Sequence, residues 1–309
     1  MSSWVVPVLR WQVVSQTDDV FVRVSTAGQH LATWPVDGEA PTHCFLVGQQ
    51  YWIWQPEFGG ATFTADRPEL VLCPCTGVDR SQFEQLVWRS WLPAIYPIWH
   101  RQVLHASAVA SPTGDVIAFT GPSGASKSTT AYALAQRPGW TPVSDDALAF
   151  SCHPNDTDAP INLYPLRSEA RLRQATAEYF GKSEATDIPF DWPSTCLRLR
   201  VIYALDPSPD PSTPVSFTRL KAAESLPLLL AQAHAFSINE PEHNQRLMRD
   251  YLSLAVAVPS FRFTFPRTFP ALASNLDQLE AHAADCGVNG GLTGQARRRG
   301  PTTPSPTVQ

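Results

Sequence analysis

The sequence has no run of about 18 apolar residues, the length a helical membrane span requires, so no membrane partner is expected. Its first residues, Met1-Ser-Ser-Trp-Val5, carry neither a basic stretch nor a small-residue cleavage site. No secretory signal is read there, and a cytoplasmic location is expected. Basic charge is not in excess. The 23 Lys and Arg stand against 28 Asp and Glu, a net charge of -5, which gives no electrostatic case for nucleic acid binding. Cysteine is scarce, with six in the chain. Cys73-Pro-Cys75 is C-x-C with no second pair at metal spacing, so buried, reduced thiols are expected rather than a zinc site or a disulfide framework. No internal repeat is evident. What remains is an ordinary globular composition, 43% apolar over 309 residues, enough for one large domain or two small ones.

One stretch organises the chain. Val116 to Phe119 read as a buried strand, a Gly/Ser turn follows, and Thr130-Ala-Tyr-Ala-Leu-Ala-Gln136 is a run of good helix formers. Strand, Gly-rich turn, helix is the setting of a phosphate-binding P-loop, whose pattern is G-x-x-x-x-G-K-[ST]. Gly121, Lys127 and Ser128 fit it, and Ser126 stands where the second Gly belongs. The backbone N–H groups of residues 123 to 128 would curl into an anion nest, reinforced by the positive end of the helix that starts near Lys127. Gly121, Ser123, Gly124, Ala125, Ser126, Lys127, Ser128 and Thr129 are thus the expected ATP-binding residues. Lys127 would reach the β/γ-phosphates and Ser128 would ligate Mg²⁺. A Ser at 126 costs little at negative φ and on the order of 1 kcal/mol or more at positive φ.

Under twenty residues later comes Val143-Ser-Asp-Asp146. Paired carboxylates at a strand end suit metal–phosphate chemistry: one can hold the ion, the other can accept a hydroxyl proton. Neighbouring strand residues face opposite ways, so both serve only if the chain bends there. His105, on the strand before the loop, is a further candidate.

The first 75 residues alternate and are rich in Trp, Val, Phe and Thr. Strands are expected at 4–14, 20–24, 43–47, 51–54 and 61–64. Their Trp-dense face is either a peptide-binding surface or the core packing of a small unit. Residues 81–92 have helical spacing, with Ser81 and Glu84 as a capping box and Pro93 and Pro97 ending or kinking the helix. Beyond it, strands are expected at 103–110, 197–205, 215–220 and 259–265, and helices at 168–180, 222–236, 242–258 and 268–284. Residues 182–195 are a candidate substrate flap, and His234 reads as structural. The expected organisation is a small, mostly antiparallel β domain over 1–80, a catalytic domain over 81–285 and a disordered tail over 286–309.

Taken in order, Leu104-His-Ala-Ser-Ala-Val109, Gly121-Pro-Ser-Gly-Ala-Ser-Lys-Ser128 and Val143-Ser-Asp-Asp146 resemble the catalytic domain of the HPr serine kinase/phosphorylase family. They look closest to its stand-alone bacterial members, some of which phosphorylate lasso-peptide precursors. The resemblance covers about residues 85 to 285. It implies an α/β fold of the α+β type with a mixed sheet. The activity it implies is ATP- and Mg²⁺-dependent transfer of the γ-phosphoryl to a Ser of an HPr-like protein or a lasso-peptide precursor, and homo-oligomers are left open. It makes Asp145 the catalytic acid–base, His105 its hydrogen-bonding partner, Lys127 the loop lysine, and Ser128 with Asp146 the metal-side residues. Two departures stand out. Ser126 replaces a Gly, and the Gly-rich signature linked to phosphorylase activity after the Asp pair is not found. A small-metabolite kinase and a non-catalytic ATP-binding regulatory module are the alternatives on the same fold.

Overall fold

The computed structural model describes residues 7–12, 23–36, 39–152, 161–164, 166, 170–182, 185–186, 197–234 and 241–288. The chain is mixed α/β, built on two principal sheets.

The first sheet holds β1 (Val8–Trp11), β2 (Gln29–Val36), β3 (Glu39–Val47), β4 (Gln50–Gln55), β5 (Gly59–Thr64) and β6 (Arg67–Pro74). Its order is β1-β6-β5-β4-β3-β2. The pairs are antiparallel except β1 with β6, which run parallel. The expected strand over 20–24 is not formed where the chain is described. Residues 23–27 are a helical turn (α1), and Gly28 N closes it on Val24 O at 2.8 Å. Burial of Val24 outweighs the strand preference of a β-branched residue. β2 and β6 were not read from the sequence, because the prolines inside them punctuate the alternation. Of the sheet's described tryptophans Trp54 is buried and Trp11, Trp34 and Trp52 are half-buried. Beyond the sheet, Trp88, Trp91 and Trp99 are buried.

The connecting helix runs as α2 (Arg80–Leu86), a π turn over Val87–Trp91, and α3 (Leu92–Ile95). Its cap is Asp79, which accepts from Ser81 N at 2.9 Å and Gln82 N at 3.1 Å; the expected Ser81 box is not used. The π turn precedes Pro93, whose ring cannot stack on a regular turn and which has no N–H to donate. Phe83, Val87, Trp91 and Leu92 share one core with Ile53, Phe63 and Leu72 of the first sheet, with Ala149 of the second, and with Ala147 in the bend that leads into it. The helix is therefore the seam between the sheets.

The second sheet runs β10 (Thr141–Ser144), β8 (Ala106–Ala110), β9 (Asp115–Thr120), β15 (Arg198–Ser208), β12 (Asn162–Tyr164), β11 (Leu148–Ser151), β7 (Gln102–Leu104). β17 (Ser260–Pro266) pairs with β15, and β16 (Ser216–Leu220) with β17. A separate pair joins β13 (Ala170–Arg171) to β14 (Ala185–Thr186). β9, β15 and β17 are mutually parallel neighbours, so their carboxyl ends emerge together.

Both faces of this sheet are covered. Val116 and Ala118 point to a core made with Leu229 of α6 (Ala222–Leu230) and Tyr251, Leu254 and Ala255 of α7 (Pro241–Ala257). Ile117 and Phe119 point the other way, to Leu134 of α4 (Lys127–Ala135) and Leu276 and Leu279 of α8 (Phe269–Asp285). The period of two along β9 thus feeds two apolar layers. Among the described residues of the helix expected over 168–180, only α5 (Gln174–Tyr179) is helical, because Arg173 is extended at φ -65, ψ 151. Of the expected flap, residues 183–184 and 187–195 lie outside the described residues, as does the tail from 289. Val288 is ordered and buried against α8, with its N–H on Ala283 O. Among the described residues no helix is long and apolar enough to cross a membrane.

Trp91 tests the seam. It is 1% exposed, lies edge-on to Phe83 at 5.4 Å, and its indole N–H has no partner among the described residues. Trp91→Ala should cost about 3–5 kcal/mol in urea unfolding. Trp91→Phe should cost clearly less, because it also removes an unsatisfied donor whose burial costs about 1–3 kcal/mol. Equal losses would refute this account of the site.

Candidate functional site

The carboxyl end of β17 and the loop that follows β9 open onto a cavity of about 430 Å³. Such a crevice, outside the carboxyl ends of strands, is where open α/β sheets bind ligands.

β9 ends at Thr120 and the chain turns at Gly121, whose φ is 143. A Cβ there would stand 3.2 Å from both Leu205 O and Ala125 Cβ, so the turn presses against β15 and requires glycine. Gly124 follows at φ 84, and Ser126 at φ 73, ψ 23 serves as the N-cap of α4. The residue in the second-Gly position is thus left-handed, the costly alternative foreseen for a serine. Lys127 folds back over the loop, its Nζ donating to Gly121 O at 2.8 Å and to Pro122 O at 3.4 Å. The residue is 7% exposed. Burial pushes its amine below the usual lysine value, and the nearby Asp146 and Asp145 carboxylates pull it back up. Ser123, Gly124, Ser126, Lys127, Ser128 and Thr129 all line the cavity. Gly121 and Ala125 shape the loop from behind. The Thr129 hydroxyl lies 3.2 Å from that of Thr176 on α5.

The acid pair sits in the bend between β10 and β11, and the bend separates its members. Asp145 is buried and accepts from Ser107 Oγ, on β8, at 2.7 Å. Asp146 adopts φ 78, which swings its carboxylate into the cavity, where its side chain is 64% exposed. The expected pairing of His105 with Asp145 is therefore not made. His105 Nδ1 lies 3.1 Å from Asp146 Oδ1 instead. Alternation explains the exchange: Ser107 captures the first carboxylate on one side of the strand, and the left-handed residue delivers the second to the other. Donation from His105 is the chief cause that holds the Asp146 carboxyl below its usual range, against its partial desolvation within the cavity.

Sequence reasoning missed two parts of the site. The first is His234. Its ring meets that of His105 edge to face at 5.6 Å, and its Nε2 lies 3.4 Å from Asp146 O. Burial lowers its pKa below the ordinary histidine value, which favours the neutral ring at neutral pH. The second is the wall opposite the acids: Phe265 and Pro266 from the end of β17, then Arg267, and Phe269 and Leu272 of α8. Phe269 stacks on Tyr179 at 4.4 Å and 11°. Arg173 closes the loop side, 3.5 Å from Ser123 Oγ. The alternating Phe residues signal the strand, but its parallel pairing with β15 has no local signature. Among the described residues no group of three or more His, Cys, Asp or Glu is arranged to hold a metal ion.

Two predictions follow from this geometry. Ser126→Gly removes the left-handed penalty and should raise stability by about 1 kcal/mol, measured as a higher urea midpoint; no gain would mean the loop is not strained there. His105→Ala should raise the Asp146 pKa. Its carboxyl ¹³C resonance would then titrate at higher pH than in the parent chain. An unchanged midpoint would show that His105 does not stabilise the ionised form.

No protein-family model and no curated protein matches the sequence. Among solved structures, the Hpr(Ser) kinase/phosphatase from Coxiella burnetii is similar over 60% of this chain and 99% of its own, at 12% identity and a TM-score of 0.32.

Proposed function

We propose that this chain is an ATP-dependent phosphotransferase that passes the γ-phosphoryl group to a serine hydroxyl of a protein or peptide. The observation that carries the reading is a single cavity that holds both the Lys127 loop and the Asp146 carboxylate bonded to His105. A loop with left-handed residues at Gly124 and Ser126, a buried amine and a helix N-terminus is suited to polyanionic phosphates. Arg173 and Arg267 add positive charge on the same cavity. The rings and aliphatic groups of Phe265, Pro266, Phe269 and Leu272 offer an apolar face for the base.

Ser128 lines the cavity one residue after Lys127 and would be the hydroxyl that ligates Mg²⁺. Mg²⁺ characteristically takes only one or two protein oxygens beside phosphate and water, so the donor set fits. Bound with the triphosphate, the ion would neutralise charge on the phosphate oxygens. Lys127 would leave its loop carbonyls for those oxygens. Asp146 would accept the hydrogen bond of the incoming hydroxyl and aim it, taking the proton late. A carboxylate of lowered pKa is a weak base, so orientation outweighs basicity in this role. His105, donating from Nδ1, would fix the carboxylate direction. The Asp146 carboxylate is 64% exposed, so an acceptor presented from outside, such as a serine on a peptide, can reach it. Asp146 thus takes the acid–base role assigned to Asp145 by resemblance, and Asp145 supports the bend.

The strained Ser126 favours a second reading, a module that binds ATP without turnover. One experiment separates the two. Full-length chain is incubated with labelled Mg-ATP and serine peptides, including HPr-like and lasso-precursor sequences, while ATP binding is measured by calorimetry. Asp146→Asn should lower transfer by about 10²–10⁴ while leaving ATP affinity within about threefold. Asp145→Asn can still accept from Ser107 and should stay within about tenfold of the parent. Lys127→Ala should weaken ATP binding about tenfold or more, the loss of a charge-assisted contact. Binding with no transfer to any peptide would favour the regulatory module, and no binding at all would sink both readings.

A further inference from the structure

Helix α6 stops at Leu230, short of the 236 that its apolar sequence allows, and residues 231–234 turn against the end of β7. Leu104 and Ala233 form an antiparallel bridge. On its two sides, His105 N donates to Gln232 O at 2.7 Å and His234 N donates to Val103 O at 2.9 Å. These bonds fix the two histidines on paired backbone segments, so the approach of their rings is set by the main chain. From there His234 Nε2 reaches the carbonyl oxygen of Asp146 at 3.4 Å. A carbonyl oxygen only accepts, so Nε2 carries the hydrogen.

Asp146 needs such a hold. At φ 78 it occupies a region that non-glycine residues avoid, though aspartate tolerates it better than most. The bend is anchored on one side through the Asp145 carboxylate on Ser107. On the other side, the described polar contact to the Asp146 carbonyl is the one from His234. Were the peptide after Asp146 released, the residue could relax to negative φ and its carboxylate would leave His105.

We propose that His234 is a positioning residue that clamps the Asp146 backbone and the His105 ring, keeping the His105–Asp146 pair aimed into the cavity. Its kinetic consequence rests on the phosphotransfer reading; its structural consequence does not.

The test uses the full chain, its His234→Ala and His234→Gln variants, and two measurements. The glutamine amide nitrogen can replace the Nε2 donor. The first measurement is long-range ¹H–¹⁵N NMR of histidine-labelled protein, which reports the tautomer of His105. The parent should show one Nδ1–H form, His234→Ala a mixture, and His234→Gln the single form again. The second is transfer from labelled Mg-ATP to a pooled serine-peptide library. There kcat should fall about 10- to 100-fold in His234→Ala with the KM for ATP within about twofold, and His234→Gln should recover most of it. An unchanged His105 tautomer in His234→Ala, or a His234→Gln variant as impaired as His234→Ala at equal melting temperature, overturns the proposal. A parent chain without transfer overturns the phosphotransfer reading alone, and the NMR result then decides the role of His234.

Discussion

Keeping one cation buried at the end of a parallel strand is the constraint on which this architecture depends. Lys127 as a residue is 7% exposed, and an uncompensated charge in such a place costs several kcal/mol. It is tolerated because the loop beneath it turns carbonyl oxygens of Gly121 and Pro122 toward the ammonium. Those carbonyls can point there only if Gly121 presses against β15 at φ 143 and the chain re-enters a helix through a left-handed residue at 126. The helix that follows is held by apolar contacts of Ala131, Ala133 and Leu134 with the sheet face carrying Ile117 and Phe119. The ammonium, the loop and the helix start are thus one object, and the sheet is its mounting.

The same logic extends to the acids. Of the four non-glycine residues at positive φ among those described, Ser126 and Asp146 line the cavity, while Glu57 and His100 lie elsewhere. Strain of this kind persists only where surrounding contacts over-determine it, and it concentrates at functional sites. Around Asp146 those contacts are the Ser107 bond to the preceding residue, the His105 contact to its carboxylate and the His234 contact to its carbonyl. Around Ser126 they are the loop itself and the Thr130 N–H, which donates to Ser126 O at 2.9 Å.

Much of this was legible in the sequence where the signal is local. The strand at Val116, the glycine turn, the helix after it and the long helices near 242–258 and 268–284 follow from apolar period and composition. The candidate loop residues are contiguous, so a linear reading finds them. The pairing of His105 with Asp146 rather than Asp145 was not legible, because it turns on one backbone angle that aspartate permits but does not demand. His234 was hidden for another reason. Its segment looks like a continuation of α6, and the backbone bonds that draw it to β7 come from residues about 130 positions earlier in the chain. The wall of Phe265, Phe269 and Leu272 depends on β17 joining β15 in parallel, a long-range choice that no alternation pattern encodes. The helical turn at residues 23–24, where a strand was expected, and the unused Ser81 cap show the converse, local preference overruled by burial and by a better-placed Asp79.

The first sheet has a mechanical place in this scheme. The bend that carries the acids continues into Ala147 and Ala149, and both lie in the core shared with Trp88, Trp91, Ile53 and Leu72. Close-packed cores transmit displacement because they have little free volume to absorb it. A shift of the first sheet or of the seam helix would therefore move the residue directly after Asp146. Ser107 pins the turn from within the second sheet, and the tryptophan-rich core pins it from behind. Trp88, Trp91 and Trp99 of the seam segment are buried in that core, and Trp11 and Trp34 of the first sheet pack against it half-buried, so the sheet braces the bend through the seam.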